Sequence, residues 1–376
     1  MYHAYHEQFD YYEERADGLL ASAADGTGSA VAAFARYDAP LTRHGARAVV
    51  AREHGQDDWE ALRHHVAGLR ESGEPFARAY RAVEAHDLDG LRALLEQFPE
   101  FARARGTNGN DLLGMAGATC DERLVELLLA HGADVAAANA HGWTALHQAA
   151  YSNLPRMARM LLGAGAPTDV SARGDGGTPL VIALFWGHRE TSELLATHGI
   201  HPLNLRTTAG LGRTERFDDA DPTAHRAYYR PHSGFGPWTP TDDPQEALDE
   251  AVAWAARNDR LEAIDALVAR GAALDRDVYR GTPLAWAAAC GRSAAIRRLV
   301  ELGVDPNQDT TFGGPDHGVG VTALHLAAQN GDLDTIRTLL ELGADPMRED
   351  GLYHATPAGW AEHGGHAEAV ALIGRP

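Results

Sequence analysis

Twenty histidines, two cysteines and no lysine in 376 residues define the chemistry this chain could carry. Imidazoles serve as general acids, general bases or metal ligands near neutral pH. Without lysine, Schiff bases, phosphate-loop lysines and lysine general bases are all excluded. Signatures with a fixed spacing are missing too: there is no His-Glu-x-x-His, no Cys-x-x-Cys and no Gly-x-Ser-x-Gly. Gly210-Leu211-Gly212 belongs to a helix turn without a β-α-β context, so it is no dinucleotide loop. Asp316 and His317 are adjacent, and neighbouring side chains do not naturally point at one proton. Outside the recurring positions described next lie His141, His201, His225, His232, His317, His354 and His363. No metal site and no cofactor is expected.

The elements that must position these side chains follow from a repeat. Thr144-Ala145-Leu146-His147 returns as Thr322-Ala323-Leu324-His325. Thr178-Pro179-Leu180 and Thr282-Pro283-Leu284 are variants, and Thr356-Pro357-Ala358 is a further relative. Thr144 and Thr178 are 34 residues apart, as are Thr322 and Thr356. Nine residues after each threonine comes Gly or Asn: Asn153, Gly187, Gly291, Gly331 and Gly365. In each unit the threonine caps a first helix, and proline at the first helical position lacks only an N–H that would be unpaired anyway. Leucine pairs at helical spacing give a second helix its buried stripe, and a glycine supplies its left-handed cap. His147, His325, His188, His366, His131 and His198 occupy scaffold positions of this grammar.

Repeats of about 33 residues with this grammar resemble the ankyrin family. The resemblance covers about residues 77–376, with a gap over 218–245. It implies an all-α solenoid of stacked helix-turn-helix units with short β-turn fingers, whose fingers and first helices line a concave face. The chain then divides into an N-terminal helical cap (1–75), a first block of repeats (76–217), an irregular insertion (218–245) and a second block (246–376). Residues 2–24 and 29–36 are expected as extra helices of the cap. The last unit of the first block is degenerate: Leu203 to Arg213 reads as a first helix, but its second helix dissolves after Phe217. Around Tyr229, Arg230, His232, Phe312, Asp316, His317 and Trp360 to His366 the chain is similar to a bacterial subgroup without a generally assigned activity.

The resemblance places Tyr151, Trp186, Trp254, Trp286, Phe312, His354 and Trp360 on the inner face, with Tyr229 and Arg230 on the insertion. Trp254, Trp286 and Trp360 share one slot of three repeats. Such residues suit a protein-recognition face, and an intracellular scaffold for a protein partner is the expected function. The alternative is a small-molecule or metal-binding protein, or an unusual enzyme. Its pocket would lie between the 218–245 insertion and the 311–320 finger, with His232, Asp316, His317 and His363 as weak catalytic candidates.

The charge balance, 53 acidic against 33 basic side chains, gives a net −20 that repels phosphate backbones. Nucleic acid is not an expected partner. No apolar stretch approaches the roughly 20 residues that span a bilayer, and the start of the chain is polar. No membrane partner is expected, and a reducing bacterial cytoplasm is the expected compartment. Arginine-only basicity with abundant Ala and Gly reads as a GC-rich coding bias. Cys120 and Cys290 fall in distant repeats, so no disulfide is expected.

Overall fold

The computed structural model describes residues 5–6, 8–72, 75–106, 111–139, 141–228, 239–312 and 320–374. It divides into two compact units, 1–167 and 168–376.

In the first unit, α1 (Asp10–Ala24), α2 (Gly28–Arg36), α3 (Arg43–Glu53) and α4 (Trp59–Ser72) close around their own core. Tyr12, Ala16, Phe34, Val49, Val50, Leu62 and Val66 are buried there. Helix α1 begins at Asp10, later than the polarity pattern suggested: Tyr12 is buried and Tyr5 and His6 are not helical. Tyr12 bonds back to both backbone groups of His6, which ties that residue to the helix. Three helix pairs follow: α5 (Pro75–Glu84) with α6 (Leu88–Gln97), α7 (Leu112–Ala118) with α8 (Glu122–Ala130), and α9 (Ala145–Tyr151) with α10 (Pro155–Gly163). First helices α7 and α9 are only seven residues long, too short to persist alone, so their caps matter. Asp111 accepts from the Gly114 N–H at 2.6 Å. Thr144 accepts from the His147 N–H while the His147 ring accepts from the Thr144 N–H at 3.2 Å, a reciprocal capping box.

In the second unit the same unit recurs. It contains α11 (Pro179–Phe185), α12 (Arg189–Ala196), α13 (Leu205–Leu211), α14 (Pro244–Arg257), α15 (Leu261–Ala269), α16 (Pro283–Ala289) and α17 (Ser293–Glu301). The last two pairs are α18 (Ala323–Gln329) with α19 (Leu333–Glu341), and α20 (Pro357–His363) with α21 (Ala367–Ile373). Thr178, Thr282 and Thr356 cap their helices with proline directly behind. The second helices bury Ile264, Leu267, Ile296, Leu299, Ile336 and Leu339 in one continuous core. Among the described residues the only β-pairing is isolated bridges, in fingers such as Thr310 with Val321 and between Asn204 and Asp221.

Helix α13 is followed by a single 3-10 turn, Thr214–Arg216, where a second helix would stand. Helix α14 has the opposite character: at 14 residues it is twice the usual first-helix length. Its added N-terminal turns carry Glu246, Asp249 and Glu250: Glu246 and Glu250 receive Arg226 of the insertion, while Asp249 accepts from the Ala273 N–H.

Candidate functional site

The centre of the second unit is a cluster of buried guanidiniums and aromatic rings. It starts from a break in register. The motif leucine is fully buried in its neighbours: Leu180, Leu284 and Leu324 are at most 2% exposed. In the degenerate unit the same slot holds Arg206, which is equally buried at 2%. Its Nη1 and Nη2 donate to the carbonyls of Arg226 and His225 at 2.9 and 2.8 Å, so it grips the start of the insertion. Arg226 follows it inside. It donates to Glu250 at 2.7 Å, to Glu246 at 3.0 Å and to the Thr241 carbonyl at 3.1 Å. The finger at Gly174 and Gly176 supports the same segment. A Cβ on Gly176 would lie 1.9 Å from the His225 carbonyl oxygen, and its φ is +79°, so only glycine fits.

Arg257, the last residue of α14, is the third buried guanidinium. Its Nε donates to the Ala253 carbonyl and its Nη1 to the Phe185 carbonyl at 3.0 Å. It lies over the rings of Trp286 at 3.7 Å, Phe185 at 4.8 Å and Trp254 at 4.9 Å. Helices α11 and α14 reach each other here across α13, because Gly210 leaves no bulk between Leu184 and Asn258. Asn258 exploits the gap and donates to the Leu184 carbonyl at 2.9 Å. Carbonyls at the C-terminal end of α11 thus supply the negative end of a helix dipole to Arg257. Among the described residues no carboxylate lies within 4.0 Å of it. Burial pushes the pKa of Arg257 down to about 9. Burial also lowers that of Arg206, to about 10, against the pull of Glu250.

The aromatic rings form one contact set. Phe185 meets Tyr228, Trp254 and Trp286 edge-on at 5.4, 6.0 and 5.0 Å. Phe312 meets Trp286 at 4.7 Å. Trp254 donates its indole N–H to Glu250 at 3.1 Å. Among the described residues the buried indole N–H of Trp286 and the Nε–H of Arg206 have no acceptor.

The expected binding residues therefore separate. Trp254 and Trp286 are 2% and 3% exposed, which corrects their assignment to an open face: Arg257 and Phe185 cover them. Trp186 and Phe312 are half-buried at the edge of the same cluster. Trp360 is also buried, donating to Asp350 at 2.9 Å beside the His325 ring. His354 and His363 are exposed, on the last finger and at the end of α20. Tyr151 belongs to the first unit, 42% exposed beside Trp143. His232, Asp316, His317, Tyr229 and Arg230 lie outside the described residues. Arg206, Arg226 and Arg257 were not singled out from sequence. An arginine standing in the leucine slot was the available signal for Arg206.

The exposed large apolar side chains of the second unit sit together on the last finger. Met347 is 73% exposed, Leu352 44% and Tyr353 63%. Asp350 holds that finger from inside, accepting from the Leu352, Tyr353 and Ala355 N–H groups as well as from Trp360.

Short threonine-capped helices, paired with longer apolar-striped ones and joined by fingers, define a helical-repeat protein. The Ankyrin repeats (3 copies) family model matches residues 79–173, 113–207 and 240–310, and the Ankyrin repeat model matches 319–351. The chain belongs to the ankyrin-repeat family. It is 36% identical over 110 residues to Protein PhlB of Serratia liquefaciens, which covers 29% of this chain and 48% of that protein. The chain thus spans about half the length of that relative. The crystal structure of the human ASB11 ankyrin repeat domain aligns at 20% identity and TM-score 0.32, covering 71% of this chain and 99% of that one.

Proposed function

We propose that the chain is a binding module for a protein partner, with the last finger of the second unit as a principal contact. Ankyrin repeats generally serve as protein–protein interaction scaffolds. The observation that carries the reading is the grouping of Met347, Leu352 and Tyr353 on one rigidly held finger, all well exposed. Apolar and aromatic side chains that stay in water on an ordered turn are typical anchors for a partner's pockets. His354 and His363 add polar contacts at the rim. The net charge of −20 favours a partner with a cationic face. The cytoplasm remains the proposed compartment; no helix among the described residues is long and apolar enough to cross a membrane.

Site-specific photo-crosslinking tests this. A photoreactive phenylalanine analogue at Tyr353 should capture a defined partner in cells of the source organism. The same probe at Arg337, on the second helix α19, should not. The Leu352→Ala/Tyr353→Ala variant should lose that partner while melting like the parent. Equal capture from both positions, or full retention by the folded double variant, contradicts the assignment.

A further inference from the structure

The first unit contains a cleft of about 730 Å³ between its helical cap and two fingers of its repeats. Helix α1 is divided lengthwise to make it. Tyr12, Ala16 and Ala23 enter the core of the cap, while Tyr11, Glu14, Arg15, Gly18, Leu19 and Ser22 line the cleft. Those six recur at three- and four-residue steps, so they form one continuous stripe. Helix α2 adds Ser29, Ala33 and Arg36 at the same spacing. The rest of the lining comes from the end of α3, with Glu53, and from the fingers, with Arg105 and Ala138.

The length of the stripe selects an extended ligand. From Tyr11 to Ser22 the helix rises roughly 16 Å, the reach of about five residues of extended chain. A compact ion would leave most of that space empty. The charges select the ligand's sign. Arg15 and Glu53 neutralise each other at 2.8 Å. Arg36, exposed on the cap side, makes no ion pair among the described residues. Arg105, exposed on the finger side, donates to the Ala138 carbonyl at 3.2 Å. The carboxylate it approaches is Asp134, at 4.0 Å and itself exposed. Glu14 is the opposing charge, and it too makes no ion pair among the described residues. Two guanidiniums against one carboxylate is a local excess of positive charge in a chain of net −20. Carboxylates attached to an extended chain match exposed guanidiniums, and apolar side chains alternating with them match Leu19 and Ala33.

We propose that this cleft binds an acidic peptide segment of a protein partner in extended form. Its carboxylates meet Arg36 and Arg105, and its apolar side chains rest on Leu19 and Ala33. The site shares no residue with the last finger, so it holds or fails independently of the crosslinking from Tyr353.

The probe is a blocked pentapeptide of alternating glutamate and leucine. The same peptide with glutamine for glutamate is the neutral control, and glutarate is a free dicarboxylate. Each is titrated calorimetrically into the purified full-length protein at low ionic strength, where exposed charges are screened least. The glutamate peptide should bind at least about tenfold more tightly than either control, because it alone combines charge, length and apolar contact. Arg36→Gln and Arg105→Gln should each weaken it about threefold, the size expected of one exposed charge pair. Arg337→Gln removes the same charge from α19 in the second unit and should change nothing. Glu14→Gln should tighten binding, which no loss of folding can mimic. If Arg105→Gln melts early, Arg36→Gln and Glu14→Gln decide. The proposal is overturned if the glutamate peptide does not bind, or if the glutamine peptide or glutarate binds as tightly. It is equally overturned if Arg337→Gln costs as much as Arg36→Gln, or if Glu14→Gln fails to tighten binding.

Discussion

Arg226 and Arg257 are buried to the same degree, yet they are stabilised in different ways. Arg226 is held by two carboxylates, while Arg257 is held by carbonyl dipoles and ring faces, which satisfy geometry more fully than charge. Removing one partner of a buried ion pair leaves the other uncompensated, at a cost of about 3–5 kcal/mol. Arg226→Met should therefore destabilise the second unit by that amount in urea denaturation, since Glu250 is buried and loses its shortest contact. Adding Glu250→Gln should recover part of the loss, because a neutral amide is cheaper to bury than an unpaired carboxylate. A single variant costing less than about 1 kcal/mol would mean that Glu246 and Glu250 reach water when Arg226 is gone. Gly176 is a second sensitive point. Gly176→Ala must displace the His225 carbonyl oxygen from 1.9 Å at an unfavourable φ, so it should loosen the insertion.

At the scale of elements, the last finger shows how one buried carboxylate can organise a loop. Burial alone would raise the Asp350 pKa, but hydrogen bonds from Tyr353, Trp360, Leu352 and Ala355 outweigh it and hold the carboxyl below its ordinary 3.8. His325 lies directly behind. Its Nδ1 accepts from the Thr322 N–H and its Nε2 donates to the Ala355 carbonyl at 3.2 Å, so the neutral ring joins helix α18 to this finger. Burial lowers the His325 pKa below its ordinary 6.5, opposed by the Ala355 carbonyl and Asp350. Both groups take up protons less readily folded than unfolded. Their contribution is complete above pH 6.5 and falls with acidification, first through His325 and, below 3.8, through Asp350. Hydrogen exchange, corrected for its intrinsic pH dependence, should therefore report more frequent opening of residues 350–355 at pH 5 than at pH 7. Equal opening at the two pH values would show that the His325 link does not support the finger.

At the scale of the whole molecule, what was legible in the sequence was local. Thr144, Thr178, Thr282, Thr322 and Thr356 announce their helices through caps and prolines whose partners lie within four residues. The register of the repeats follows from those alone. The buried state of Trp254 and Trp286 was not legible, because it rests on Phe185 and Arg257 meeting across 72 residues. That meeting in turn depends on Gly210 and on a missing second helix, which no short-range pattern reports. The whole-chain charge was legible, and it leads to a last expectation. A net charge of −20 without any lysine makes the folded state repel itself, and most of the ion pairs among the described residues, such as Arg43 with Asp17, have at least one exposed partner. Salt weakens both effects, but exposed pairs contribute at most about 1 kcal/mol each while self-repulsion acts over every acidic side chain. Buried contacts such as Arg226 with Glu250 are screened least, so they do not reverse the balance. The melting temperature should therefore rise by a few degrees, roughly the effect of 1 kcal/mol, between about 20 mM and 300 mM sodium chloride. A fall over the same range would mean that the surface pairs outweigh the excess negative charge. The acidic surface would then be a less dependable guide to a cationic partner.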